Sequence, residues 1–385
     1  MRAAHRMQHI EPFHVMELMA RADELERTGR DIVHMEVGEP DFPTPTPIIA
    51  AAQALLATGE IFYTAALGLP ELRTAISRHY AERYGCNVPM ERIVITTGAS
   101  AALLMALAAC VDRDDEWLLP DPGYPCNANF VHLFEGKVRR IATSADNDFQ
   151  PTVAEIEAAW TPRTRGLLVA SPANPTGTLI SAARMRKLHE AVSHRGGTLL
   201  VDEIYHGLTY GRDAESACAI SEDIFVINSF SKYFGMTGWR LGWLVVPPHA
   251  LRDVEKLAQN LYISPPTLSQ HAALAAFTPE CGAILEERRH AFAQRRDVLK
   301  SGLEQLGFRI TTHADGAFYL YADIGALADD SHALALALLE EAGVAATPGL
   351  DFGPHGAKRH MRFAYTTSIE RLKEGLLRME KFFRR

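Results

Sequence analysis

Along the chain, short apolar runs alternate with longer stretches in which apolar residues recur every three to four positions, and clusters of turn residues separate the two. The runs 92–96 (RIVIT), 117–119 (WLL), 165–170 (RGLLVA), 198–201 (TLLV), 224–228 (IFVIN) and 241–246 (LGWLVV) are short and largely apolar, as strands buried on both faces are. Between them, 100–110 is an alanine-rich helical run, and 185–194 reads as a helix ended by Gly196-Gly197. The turn Pro120-Asp121-Pro122-Gly123 closes the strand 117–119. In Ser171-Pro172-Ala173-Asn174-Pro175 the two prolines forbid continuation as helix or central strand. Strand and helix signals at this spacing predict an α/β fold with a mostly parallel sheet. From about residue 283 the texture changes to a long charged amphipathic helix, 284–306, followed by short strands at 308–311 and 317–323 and further helices. That pattern predicts a second, smaller α+β domain. Pro40, Pro43, Pro45 and Pro47 suit an extended crossing segment ahead of the large domain.

Composition narrows this little. A chain of 385 residues with 47% hydrophobic and 22% charged residues has the make-up of a soluble protein of two or three domains. The net charge of -8, with acidic groups scattered, builds no basic patch, so nucleic acid is not an expected partner. Apolar stretches such as 99–111 are too short to span a bilayer, and residues 1–12 have no signal-peptide core. Five well-separated cysteines (Cys86, Cys110, Cys126, Cys218 and Cys281) form no CxxC pair and no disulfide framework, which suits the cytoplasm.

Ligands of open α/β sheets sit beyond the carboxyl ends of the strands, so the polar residues after each run carry the candidate chemistry. They are Thr97-Gly98-Ala99-Ser100, Asn174, Asp202-Glu203-Ile204-Tyr205 and Ser229-Phe230-Ser231-Lys232. Alone, Lys232 reads as a solvated lysine, Ser100 as a helix cap and Asp202 as a turn residue. Together they suggest more. Arg240, the hydroxyls of Ser229 and Ser231, and the Gly-Ala-Ser turn opening a helix would hold a phosphate dianion. A buried Asp202 would keep a pyridine nitrogen protonated, and Tyr205 and Asn174 could bond a phenolic oxygen. Tyr124, in the rigid DPGYP turn, offers a flat face. No GxGxxG, P-loop, HExxH or GxSxG pattern is present, and no metal site is expected.

The segments VGEPDFPTP, YTAALGLPELR, TTGASAAL, DPGYP, SPANPTGT, VDEIY, SFSKYFGMTGWRLG and MRFAYTTS, in this order over about residues 37–367, resemble the class I/II aminotransferases of the pyridoxal-phosphate fold type I. The resemblance implies a three-layer large domain at 46–283, and a small domain made of 1–45 with 284–385. It implies pyridoxal 5′-phosphate as cofactor, with Lys232 as the Schiff-base lysine, Asp202 at the pyridine nitrogen and Tyr205 and Asn174 at the phenolic oxygen. Tyr124 becomes the stacking ring, and Ser229, Arg240, Ser100 and the backbone of Ala99 the phosphate cup. Arg362 becomes the two-pronged grip on the substrate α-carboxylate, with the backbone of Gly38 beside it. Tyr63 becomes the residue that reaches the phosphate of a neighbouring subunit, so that a homodimer shares its sites.

The implied reaction is a ping-pong transfer of an amino group from an L-amino acid to a 2-oxo acid. β-Elimination from a sulfur amino acid on the same scaffold stays open, because the carbanion is common to both. A ligand-sensing domain is disfavoured, since only about forty residues precede VGEPDF and none forms a basic recognition helix. The motifs leave the donor side chain unread. Ile10, Phe13, His14 and Tyr262 are candidate readers, although each also fits plain packing. Neutral aliphatic or aromatic donors are favoured over aspartate or glutamate, with pyruvate or 2-oxoglutarate as acceptor.

Overall fold

The computed structural model describes residues 3–12 and 14–384. Strands are numbered from the short β1 (Val33–His34). The main sheet holds β2 (Ile93–Thr96), β3 (Glu116–Asp121), β4 (Lys137–Ala142), β5 (Thr164–Ala170), β6 (Thr198–Asp202), β7 (Phe225–Ser229) and β8 (Gly242–Val245), in the order β2-β8-β7-β6-β5-β3-β4. β8 runs antiparallel to both of its neighbours, and every other pairing in this sheet is parallel. Successive residues of the strands fall into two different cores, as a period of two requires. Ile95, Leu167, Val201 and Val226 pack on one face, and Val94, Leu168, Leu200 and Ile227 on the other.

The helices follow in chain order. α1 (His14–Arg27) precedes the crossing segment, and α2 (Thr46–Thr58) and α3 (Pro70–Tyr84) follow it. α4 (Ala99–Cys110), α5 (Pro125–Leu133), α6 (Val153–Ala159) and α7 (Ala182–Ser193) connect the strands. α8 (Leu251–Leu261) and α9 (Thr267–Leu274) lead into α10 (Pro279–Gln305). α4 and α8 bury their apolar sides in the second core, while α3, α7 and α9 bury theirs in the first, which makes three layers. Trp243 lies fully buried in the first core, its indole N–H donating to Tyr80 Oη at 3.1 Å. Burial of one such side chain contributes about 2–3 kcal/mol.

Beyond α10, β9 (Arg309–Ile310), β10 (Tyr319–Asp323), β12 (Thr347–Pro348) and β13 (His360–Ala364) form an antiparallel sheet ordered β12-β13-β10-β9. β11 (Val344–Ala345) pairs with β1 in parallel, so the N-terminal segment is tied to this part of the fold. α11 (Ser331–Ala337) and α12 (Ile369–Phe383) complete it.

Several boundaries differ from the sequence reading, and two of them have a plain physical reason. β3 runs on through Pro120 and Asp121, the start of the expected turn. Its pairing with β5 ends at Leu118 while β4 still pairs as far as Asp121, so Pro120 lies where one side of the strand has lost its neighbour. α10 begins five residues earlier than the pattern suggests. Thr278 caps it by accepting the Cys281 N–H at 3.3 Å, and Pro279 takes the first turn, where no N–H is needed.

Candidate active site

A cavity of about 290 Å³ lies where the carboxyl ends of β5, β6 and β7 meet the N-terminal segment and the antiparallel sheet. Of the residues expected at a site, Gly38, Ala99, Ser100, Tyr124, Asn174, Asp202, Tyr205, Lys232, Arg240 and Arg362 all line it. Ser229 and Tyr63 are not among the lining residues.

Asp202 is the last residue of β6 and is 5% exposed. Its Oδ1 accepts the Ile204 N–H at 3.0 Å. Burial pushes its carboxyl up to about 6, while that hydrogen bond and the charge of Lys232 pull the other way. Lys232 follows β7 and is half-buried, its Nζ donating to the Gly38 carbonyl at 2.7 Å. Burial pushes this ammonium down to about 8; Glu39 opposes the shift, and Arg362 and Arg240 add to it. An amine that ionises near neutrality is suited to carry and release protons.

The sign of the Asp202 shift gives a first prediction. A carboxyl raised from 3.8 to about 6 favours the fold below pH 3.8, and that contribution is lost as pH rises through 6. The cofactor-free protein should therefore melt lower at pH 8 than at pH 5 by an amount that Asp202→Asn reduces. Equal pH responses of the two proteins in thermal unfolding would refute this.

Arg362, in the middle of β13, is 4% exposed. Its Nη1 donates to Asn174 Oδ1 at 2.9 Å, and its Nη2 to the Glu36 carbonyl at 2.6 Å and Thr347 Oγ1 at 3.1 Å. The ring of Tyr319 lies 4.3 Å from the guanidinium and that of Phe352 lies 5.0 Å away, so its plane is fixed from both neighbours. Its Nε is buried with no hydrogen-bond partner. The Tyr205 and Tyr319 hydroxyls share a hydrogen bond at 2.9 Å. A Cβ on Gly38 would come 2.3 Å from Tyr319 Oη, so a side chain there would displace that pair.

The opposite end of the cavity gathers Arg240, Ser100, Ser231, Thr237 and the first turn of α4. Arg240 holds a left-handed backbone (φ 52°), uncommon for a residue with a side chain, and its Nη1 donates to the Thr237 carbonyl at 2.9 Å. Gly98, also left-handed (φ 81°), lets the guanidinium approach, because a Cβ there would meet Arg240 Nη2 at 2.6 Å. Gly242 allows a second close approach: its Cβ would lie 2.9 Å from the Ala99 nitrogen and 2.8 Å from the Asn228 carbonyl. Ser229 stands one hydroxyl back, donating to Ser231 Oγ at 2.9 Å and to the Leu241 carbonyl at 3.1 Å.

A guanidinium, three hydroxyls and unpaired first-turn amides suit a phosphate at this end. A buried carboxylate suits a protonated ring nitrogen, and a primary amine suits a carbonyl carbon. The donor set therefore fits pyridoxal 5′-phosphate.

Sequence reasoning missed several lining residues. Tyr319 and the Glu36 backbone come from distant segments, and only the fold unites them with β5 and β6. Val15, Met16 and Met19 on α1 form an apolar wall, beside the candidate reader His14, which does not line the cavity itself. Ile10 and Tyr262 do not line the cavity, Tyr262 packing near Met105 and Ala258, and Phe13 lies outside the described residues. A helical apolar period is visible at Val15, Leu18, Ala22 and Leu25, all buried, and is the signal that points to α1.

Comparison with known proteins gives a consistent picture. The family model described as aminotransferase class I and II matches residues 30–378. A valine–pyruvate aminotransferase of Mycobacterium tuberculosis is 40% identical, over 96% of this chain and 96% of its own. The crystal structure of an aminotransferase from Mycobacterium tuberculosis, 40% identical, superposes with a TM-score of 0.96 over 100% of this chain and 99% of that one. The aspartate aminotransferase of Thermus thermophilus with maleate, 34% identical, superposes with a TM-score of 0.93 over 99% and 100%.

Proposed function

This chain belongs to the class I and II aminotransferases, enzymes that use pyridoxal 5′-phosphate, and we propose that it moves the amino group of a neutral L-amino acid to a small 2-oxo acid in a ping-pong cycle. One observation carries the neutral donor. The cations lining the cavity are Lys232, Arg240 and Arg362, and each is already engaged with cofactor or α-carboxylate, so no described lining residue is left to pair a second carboxylate. The wall facing the donor side chain is Val15, Met16, Met19 and Leu103. Pyruvate, which adds no second carboxylate, fits as acceptor better than 2-oxoglutarate, in keeping with the valine–pyruvate relative.

When bound, the cofactor supplies an electron sink for the carbanion left by loss of the α-proton. Arg362 binds the substrate α-carboxylate through its guanidinium, which fixes the Cα–H bond relative to Lys232. Lys232 Nζ takes that proton and later returns it on the other side of the reacting carbon–nitrogen unit. Asp202 stays ionised opposite a cation, since a positive partner reverses the cost of its burial. Tyr205 and Asn174 orient the ring's phenolic oxygen, and Tyr124 offers it a flat face. Arg240, Ser100, Ser231 and the Ala99 amide hold the phosphate, with Ser229 orienting Ser231.

We assign the chain to the cytoplasm on its five free cysteines, which suit a reducing compartment; no helix among the described residues is long and apolar enough to cross a membrane. We divide it into a large domain, 46–283, and a small domain, 1–45 with 284–385. We also assign a homodimer. Phe62 is 75% and Tyr63 80% exposed on a loop whose Phe62 carbonyl accepts from Thr267 Oγ1 at 2.6 Å, and Leu261 and Ile263 are exposed as well. A second copy covering this loop would place Tyr63 at its partner's phosphate end.

A donor screen in the loaded enzyme tests the reading. Valine or leucine should exceed aspartate and glutamate in kcat/KM by at least about 30-fold, since an unpaired buried carboxylate costs about 2 kcal/mol or more. Aspartate as good a donor as valine would sink the neutral-donor reading, and a monomer by light scattering at assay concentration would sink the shared site.

A further inference from the structure

The cavity has two walls that a donor would have to satisfy together: Arg362 on β13 and the first turn of α1. They are joined by the short turn Gly349–Phe352. Asp351 in this turn is 5% exposed and is not a lining residue. Its Oδ2 accepts the Val15 N–H at 2.8 Å; burial pushes the carboxyl up, and the nearby His14, the Val15 amide, Arg362 and the His14 amide pull the other way. The two amides belong to a helix start, so they have no partner inside the helix and favour a negative charge. The next residue, Phe352, sets its ring 5.0 Å from the Arg362 guanidinium. The turn itself is pinned to the strand that carries Arg362. A Cβ on Gly349 would lie 2.4 Å from the Ala357 carbonyl and 2.7 Å from that of His360, so this backbone packs directly on the entry to β13.

The rest of α1 is held by other means. Leu18, Ala22 and Leu25 are buried, Arg21 pairs with Glu340, and His34 bridges Glu26 at 3.2 Å and Glu36 at 2.7 Å. Among the described contacts, Asp351 is therefore the side-chain tie from another element that acts on the first turn, which carries Val15 and Met16; Met19, on the second turn, faces the same cavity.

We propose that Asp351 is a specificity-determining positioning residue: it fixes the first turn of α1 against Phe352 and Arg362, and thereby sets the distance between the α-carboxylate grip and the apolar wall. That distance selects the length of the donor side chain. The proposal rests on the donor reading given above, in which Arg362 holds the carboxylate and α1 meets the side chain.

The test compares Asp351→Ala and Asp351→Asn in the cofactor-loaded enzyme. The asparagine keeps an acceptor of the same shape, so it guards against a mere folding defect. Without substrate, hydrogen exchange of the first α1 amides should quicken about 10-fold or more in Asp351→Ala, stay near wild type in Asp351→Asn, and leave residues 22–27 unchanged. The kcat/KM ratio of valine to alanine, a donor too short to reach the wall, should fall about 10-fold in Asp351→Ala through KM, with kcat for alanine within about twofold of wild type. Asp351→Asn should restore the ratio. Unchanged exchange in Asp351→Ala overturns the proposal. Faster exchange with an unmoved ratio also overturns it, because the turn would then be mobile without consequence for selection. A wild-type preference for aspartate overturns the donor reading instead, and is seen before any variant is made.

Discussion

Lys232→Ala should lower transamination by at least about 10⁴-fold and abolish the visible absorbance band of the loaded enzyme. The loss is large because one amine holds the cofactor's carbonyl and also handles the α-proton, and among the described residues no second lysine lines the cavity. Burial that pushes Lys232 down to about 8 matters for the proton transfer, since a fully protonated ammonium takes no proton. Lys232→Arg keeps a cation and a long stem but stays protonated, so it should be nearly as inactive. The fold should survive both changes, as Nζ makes one hydrogen bond, to the Gly38 carbonyl. A Lys232→Ala enzyme with a tenth of wild-type activity would remove this residue from the chemistry.

Arg362→Lys should lower kcat/KM about 100-fold, mostly through KM, while cofactor affinity stays within a few-fold of wild type. The substitution keeps the charge, so the loss isolates geometry. Arg362 spends Nη1 on Asn174 and Nη2 on the Glu36 carbonyl and Thr347, and still has Nε unpaired. A lysine cannot satisfy those fixed acceptors and present a planar fork to a carboxylate at the same time. Two charge-assisted hydrogen bonds lost or weakened correspond to about 3 kcal/mol, hence the hundredfold figure. Steady-state kinetics with valine, alongside a cofactor titration, separates the two effects. An unchanged KM would take the carboxylate grip away from Arg362.

The first expectation is available from motifs in the sequence, because strand-end residues of a mostly parallel sheet converge without help from distant segments, whereas Arg362, in the middle of β13 of the antiparallel sheet, is legible only through the family resemblance. Asp202 ends β6, Lys232 follows β7 and Asn174 follows β5, and the rule about carboxyl ends puts them together. Strand direction is less legible. The run 241–246 reads as a buried strand, but nothing in its pattern tells that β8 runs against its neighbours; the link from β7 holds only the short helical turn Thr237–Trp239 and no α-helix of the kind that usually makes a parallel crossover. The α1 wall and Tyr319 are invisible for another reason. Their apolar and aromatic side chains look like core residues in one dimension, and only tertiary packing sets them at a cavity. Ser229 shows a subtler gap: the motif marks both serines alike, whereas the fold puts Ser231 at the cavity and Ser229 behind it.

The two glycines at the phosphate end, Gly98 and Gly242, have a bearing on how this scaffold diversifies. Each occupies a point where an added methyl would strike a neighbour within 3 Å, so that end tolerates almost no sequence drift. Met16 on the α1 wall is under no such restriction: it is 55% exposed, and methionine adapts to varied shapes. One end of the cavity is thus frozen while the other is free to be rewritten. New donor preferences in this lineage should accumulate as exchanges on the first two turns of α1, and a library confined to residues 15, 16 and 19 is the economical place to seek them.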